Sequence, residues 1–155
     1  MTNNYFPGRA DDARVPAIRH VRYPELVLPY FESVQAGFPS PADDHAMEAL
    51  NLHDYLVKDS ACTFFVRVEG ESMVGAGIYP DDILVVDRSV EARHNDVVVA
   101  FINQQFTVKR FSRRAEGILL LAENPSFAPI EVHPGDELII WGVVGHVLHR
   151  PVKLA

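Results

Sequence analysis

The chain is poor in the features that mark several large functional classes. A single cysteine, Cys62, cannot form an internal disulfide, so the fold must be held by its core. No run of about 18 apolar residues could span a bilayer, and no apolar signal segment opens the sequence. A cytoplasmic protein is the default expectation. Positive charge is scarce: 14 basic against 21 acidic residues leave a net charge of -7, which repels phosphate and argues against non-specific DNA binding by the isolated chain. No direct sequence-specific DNA binding is expected either. A Gly-x-Ser-x-Gly elbow, a Walker loop and a dinucleotide fingerprint are all missing, as are internal repeats and low-complexity tracts. No cofactor is expected. What is present is enough apolar material, 48% of 155 residues, for one ordinary domain and an appendage.

The appendage is the N-terminal arm. Pro7, Gly8, Pro16, Pro24 and Pro29 leave no room for a long helix within residues 1–36. Four arginines (Arg9, Arg14, Arg19, Arg22) balance four acids (Asp11, Asp12, Glu25, Glu32), so this is not a basic tail for nucleic acid. Gly37-Phe38-Pro39-Ser40-Pro41 is stiff and extended, because each proline fixes its own φ and pushes its predecessor toward β or polyproline geometry. An extended backbone is the form a protease binds. After it, Asp43 or Asp44 is expected to cap a short helical turn carrying Met47 and Leu50, and Asn51 a second with Leu52, Tyr55 and Leu56.

From Ala61 onward the signal is β. Branched and aromatic residues, separated by turn formers, predict strands at 63–68, 83–86, 97–102, 106–111, 118–121, 130–132 and 138–148. Their close spacing without intervening helices predicts a mainly β fold, an antiparallel sheet or barrel. Asn103-Gln104 reads as a two-residue hairpin loop, with further turns at Glu116-Gly117 and Pro134-Gly135-Asp136. The apolar stretch 139–144 is expected to leave an edge or face to be covered, for which self-association is a common solution.

Two polar residues stand out in this frame. Ser72, in Gly70-Glu71-Ser72-Met73, follows a strand at a glycine-permitted bend, and Lys109 lies inside the strand of Phe106-Thr107-Val108-Lys109. A serine hydroxyl needs a base, and a lysine amine serves if burial lowers its pKa. The pair is a known variant of the Ser-His-Asp arrangement. Alternation places Thr107 and Phe111 on the Lys109 side of the strand, and Val108 and Arg110 on the other. Small residues in Val74-Gly75-Ala76-Gly77-Ile78 are expected to let a substrate backbone approach closely. Cys62 reads as a small core residue rather than a nucleophile. His146 and His149, three apart on a strand, face opposite ways and suit no shared metal. Asp81-Asp82 reads as a turn.

Five ordered segments, Gly70-Glu71-Ser72-Met73, Pro80 to Asp87, Phe106 to Arg110, Glu123-Asn124-Pro125 and Trp141-Gly142-Val143-Val144, resemble the self-cleaving serine-lysine peptidase domain of the LexA/UmuD family. The serine-to-lysine interval, 109 minus 72 or 37 residues, agrees with that family's. The Gly37-Phe38-Pro39-Ser40-Pro41 segment and a short arm make the chain UmuD-like, since residues 1–36 are too few and too proline-broken for a helix-turn-helix domain.

The resemblance implies an arm, 1–36, removed by self-cleavage from a peptidase domain, 37–155. It implies Ser72 as nucleophile, Lys109 as general base, backbone amides of Glu71 and Ser72 as oxyanion donors, and Ala36-Gly37 as the bond cut. It further implies a homodimer, stimulation by a RecA filament on single-stranded DNA in the SOS response, and a trimmed form that joins a UmuC-like Y-family polymerase subunit for translesion synthesis. The arm is longer than the usual UmuD arm, and the Ala-Gly bond is LexA-like. Two other classes compete with this reading: a catalytically silent β-rich module that regulates a polymerase through its surface, and a signal-peptidase-like enzyme that processes other proteins.

Overall fold

A computed structural model describes residues 27–30 and 48–151. The expected arm and its boundary at 36/37 therefore lie largely outside the described residues, as do Asp43, Asp44 and Met47. Seven strands form one antiparallel sheet: β3 (Thr63–Arg67), β4 (Ile83–Asp87), β5 (Val97–Ile102), β6 (Gln105–Arg114), β7 (Gly117–Leu121), β8 (Ile130–Val132) and β9 (Leu138–Leu148). All seven coincide with the strands predicted, with shifts of a few residues at some ends. Their order is β3-β4-β9-β5-β6-β7-β8, with every neighbouring pair antiparallel.

The β5–β6 turn shows why these strands were legible. Asn103 and Gln104 both take positive φ, 46° and 69°, which matches the twist of a two-residue hairpin and joins Ile102 directly to Gln105. The last strand in the chain behaves otherwise. β9 runs inside the sheet between β4 and β5, so of the edge or face expected at 139–144 the free edge is absent. Only long-range pairing decides this. β9 is also bulged twice, since Val85 and Val86 face His146 and Val144, and Val99 and Ala100 face Gly142 and Ile140. Gly145 and Trp141 are thus the extra residues, each bending the strand locally.

The sheet buries apolar side chains on both faces. Val98, Ala100 and Ile102 of β5 join Phe111 and Leu120 in one cluster, whereas Val99 joins Val68, Met73, Ile78, Leu84 and Val86 in the other. The uninterrupted apolar sequence of β5 is the signature of such a doubly covered strand.

Two elements departed from expectation. Glu48–Asn51 is a strand, β2, rather than a helical turn, and it pairs antiparallel with β1 (Val27–Tyr30) in a separate two-stranded sheet. Pro29 is tolerated there because a two-stranded ribbon has an outer edge that needs no N–H donor. The helix α1 (Leu52–Leu56) does follow Asn51, whose side chain accepts from the N–H groups of His53 and Asp54 at 3.0 and 3.4 Å. Cys62 stands in the turn before β3, half-buried and outside both core clusters.

Candidate active site

Ser72 follows β3 through a bend at Gly70, whose φ of 79° disfavours a side chain there. The next residue, Met73, is 2% exposed within the first core cluster. Burying such a side chain contributes roughly 1.5–3 kcal/mol, enough to pin the turn from below. A 3₁₀ turn over Val74–Ala76 and a left-handed Gly77 then return the chain toward β4. On β6, Val108 packs against the same cluster as Met73, and Phe111 belongs to the opposite cluster, so the strand alternates as its sequence suggests. Ser72 and Lys109 are therefore each adjacent in sequence to a residue anchored in one common core.

The two side chains meet. Lys109 Nζ lies 2.7 Å from Ser72 Oγ and 3.0 Å from the carbonyl oxygen of Val108. Lys109 is only 7% exposed, and this burial holds its pKa below the ordinary 10.5, since charge is penalised away from water. Lys109 Nζ donates to both the Ser72 hydroxyl oxygen and the Val108 carbonyl, and on losing a proton its lone pair can instead accept the serine O–H. A cleft of about 250 Å³ opens beside the pair, its walls including Val66, Val68, Met73, Phe106 and Val108. Phe106 stands edge-on to Trp141, 4.7 Å between centroids, yet is 57% exposed. A larger depression, about 310 Å³, lies beside β6, β7 and β8 and shares no lining residue with this cleft.

The loop carrying Ser72 is gripped by Glu123-Asn124, part of one of the segments that carry the family resemblance. The Glu123 N–H donates to the Ser72 carbonyl at 2.8 Å, the Gly75 N–H donates to the Glu123 carbonyl at 2.7 Å, and Asn124 Nδ2 donates to the Glu71 carbonyl at 2.9 Å. Arg110 closes the circuit: its guanidinium pairs with the Glu123 carboxylate and donates to the Asn95 carbonyl at 2.6 Å. Small residues at 74–78 were expected to admit a substrate. At Gly75 the close neighbour is instead the chain's own Glu123. The Glu-Asn-Pro run was a visible signal, but nothing local in it points to Ser72. The N–H groups of Glu71 and Ser72 donate to no acceptor among the described residues.

The remaining polar candidates separate. His146 stacks near Tyr55, at 5.5 Å, whereas His149 Nδ1 meets Asp82 Oδ1 at 2.7 Å. Asp81, at φ 72°, and Asp82, accepting from the Tyr79 N–H at 2.8 Å, build the turn before β4. A hydrogen bond with Asp59 raises the pKa of the Cys62 thiol, which leaves it less nucleophilic. No group of three or more metal-binding side chains occurs among the described residues. Ala36 and Gly37 fall in the connection between β1 and β2, outside the described residues.

Comparison with known proteins gives the family. The family described as Peptidase S24-like matches residues 29–145. Protein ImpA of Salmonella typhimurium is 43% identical over 135 residues, 83% of this chain and 88% of ImpA. Protein MucA of Escherichia coli is 43% identical over 127 residues, 81% of this chain and 86% of MucA. LexA repressor 1 of Pseudomonas syringae pv. tomato is 41% identical over 145 residues, 93% of this chain and 71% of the repressor. With a family match over most of its length and relatives of this identity, the chain belongs to the peptidase S24-like family of LexA- and UmuD-type proteins.

Proposed function

We propose that the protein is a self-cleaving serine peptidase that cuts its own Ala36-Gly37 bond with Ser72 as nucleophile and Lys109 as general base. The observation that carries this reading is the 2.7 Å contact between a half-buried serine hydroxyl and a buried lysine amine. Neutral Lys109 takes the Ser72 proton as Oγ bonds to the Ala36 carbonyl carbon. The oxyanion so formed is held by backbone N–H groups at Glu71 and Ser72. Its collapse breaks the carbon–nitrogen bond, and the proton on Lys109 leaves with the Gly37 amine. Water, deprotonated by Lys109 Nζ, then attacks the acyl-serine ester; the carbon–Oγ bond breaks, Lys109 returns the proton to Oγ, and the Ala36 carboxylate is released.

Membership of the family and the likeness to ImpA, MucA and a LexA repressor support a place in the SOS response to DNA damage. The finer reading is by family analogy. The protein is a cytoplasmic homodimer, a RecA filament on single-stranded DNA accelerates its cleavage, and the trimmed form, 37–155, serves a UmuC-like Y-family polymerase subunit.

The test is incubation of the purified full chain at mildly alkaline pH, with and without RecA filaments, followed by mass spectrometry. A fragment beginning at Gly37, faster with filaments and absent from Ser72→Ala, is expected. Cleavage elsewhere, or cleavage that survives Ser72→Ala, overturns the assignment.

A further inference from the structure

We propose that Asn124 is a positioning residue that aims the Ser72 N–H at the developing oxyanion by holding the carbonyl of the same peptide group. The inference rests on the peptidase reading above and adds to it a residue outside the Ser72–Lys109 pair.

The argument is one of peptide geometry. A trans peptide is planar, so its C=O and N–H point in opposite directions and turn together. The peptide between Glu71 and Ser72 carries the Glu71 carbonyl at one end and the Ser72 N–H at the other. Asn124 Nδ2 donates to that carbonyl at 2.9 Å. The Ser72 N–H therefore points away from Asn124, and it has no acceptor among the described residues. The Val74 N–H also reaches this carbonyl, but at a long 3.4 Å, so without Asn124 the plane is held only weakly against rotation about the Glu71 ψ and Ser72 φ torsions. The following peptide is held by Glu123, whose N–H donates to the Ser72 carbonyl at 2.8 Å. Arg110, through its pair with Glu123, ties this bracket to the strand that carries Lys109.

The orientation of the Asn124 amide is itself determined. Its Oδ1 accepts the Ser126 N–H at 3.0 Å, which leaves Nδ2 for Glu71. Rotating the amide by half a turn would set oxygen against the Glu71 carbonyl and NH₂ against the Ser126 N–H, so both bonds would be lost together. Asn124 thus does two separable things: its oxygen shapes the turn at 124–126, and its nitrogen holds the peptide ahead of Ser72.

That separation supplies the test. Asn124→Asp keeps an oxygen for the Ser126 N–H but replaces the donor with a second oxygen that repels the Glu71 carbonyl. Asn124→Ala removes both functions. Self-cleavage of the full chain is followed across pH 6 to 10, with thermal unfolding measured alongside. Removing a single oxyanion donor typically costs about 10²–10³ in rate, and a misdirected donor costs part of that. Both variants are expected to lose at least about tenfold in the high-pH plateau. Asn124→Asp should keep a wild-type melting temperature.

Three results would overturn the proposal. Asn124→Asp could cleave at the wild-type plateau, which, if Asn124→Ala is slow, reduces Asn124 to a turn former. It could shift the pH midpoint with its plateau intact, which is a charge effect on Lys109. Or both variants could fail to fold, which assigns Asn124 to stability. A Ser72→Ala control separates this failure from that of the peptidase reading: if it still cleaves, the nucleophile is wrong; if it is inert while Asn124→Asp is normal, only the positioning role falls.

Discussion

Gly75 and Glu123 are in backbone contact across the base of the serine loop: a Cβ at Gly75 would lie 2.5 Å from the Glu123 carbonyl oxygen, which the Gly75 N–H already binds at 2.7 Å. Neither partner is a flexible side-chain end, so the backbone itself would have to move. Gly75→Ala is expected to push Glu123 away from Ser72, destabilising the fold by about 1–3 kcal/mol, as overpacking does, and slowing self-cleavage. Urea unfolding and the rate of Gly37 fragment formation measure the two effects. An alanine variant with unchanged midpoint and rate would show that the contact yields freely.

Ser72→Ala and Lys109→Ala should each abolish self-cleavage and leave the chain folded. Nucleophile and base act as one unit, so the double variant should be no worse than either single one. Residual cleavage of equal size in all three chains would locate the chemistry elsewhere.

The reaction should depend on pH through Lys109. Burial lowers its pKa below 10.5, and only the neutral amine accepts a proton, so the rate should climb with pH and level above the folded-state value. Stability has a linked sign. The unfolded chain binds this proton more tightly, so the contribution of Lys109 rises with pH between its folded pKa and 10.5, and the penalty is full below that window. Rates measured from pH 6 to 10 check the first statement, and a flat profile would rule out a titrating base. Comparing the pH dependence of urea unfolding with that of Lys109→Met checks the second.

Asp82 is 3% exposed, accepts the Tyr79 N–H and meets His149 across the sheet end. Asp82→Ala removes a buried acceptor from the part-buried Tyr79 N–H and from His149, and should cost about 1–3 kcal/mol. Chemical denaturation reads the loss directly. Stability within 0.5 kcal/mol of wild type would mean that solvent replaces the carboxylate, the usual result at an exposed site.

If the homodimer exchanges arms, a mixture of Ser72→Ala and Ala36→Asp chains should cleave the Ser72→Ala arm, because its intact bond can reach the partner's intact Ser72 and Lys109. Ala36→Asp should itself resist cutting, since a carboxylate beside Lys109 raises the amine's pKa. Mass spectrometry of isotopically distinguished chains reports which arm is cut. An uncut mixture together with a monomeric sedimentation mass would discard both dimer and exchange.

The sequence by itself determined what is local. Strand periods, the Asn103-Gln104 hairpin and the Asn51 cap each follow from the preferences of a few adjacent residues, and all three recur in the fold. Ser72 and Lys109 are weak signals as a glycine bend and a strand-borne lysine alone, and stand out through the ordered segments that resemble the LexA/UmuD family. Tertiary structure decided what depends on distant partners. It put β9 inside the sheet between β4 and β5, turned Glu48–Asn51 into a strand by pairing it with Val27–Tyr30, and set Glu123 rather than open space against Gly75. The 2.7 Å between Nζ and Oγ belongs to this second kind. So does the Asn124–Glu71 bond, which joins residues 53 apart in the chain. A backbone hydrogen-bonding group takes whichever partner the packed core brings to it, and periodicity within one segment holds no record of that partner.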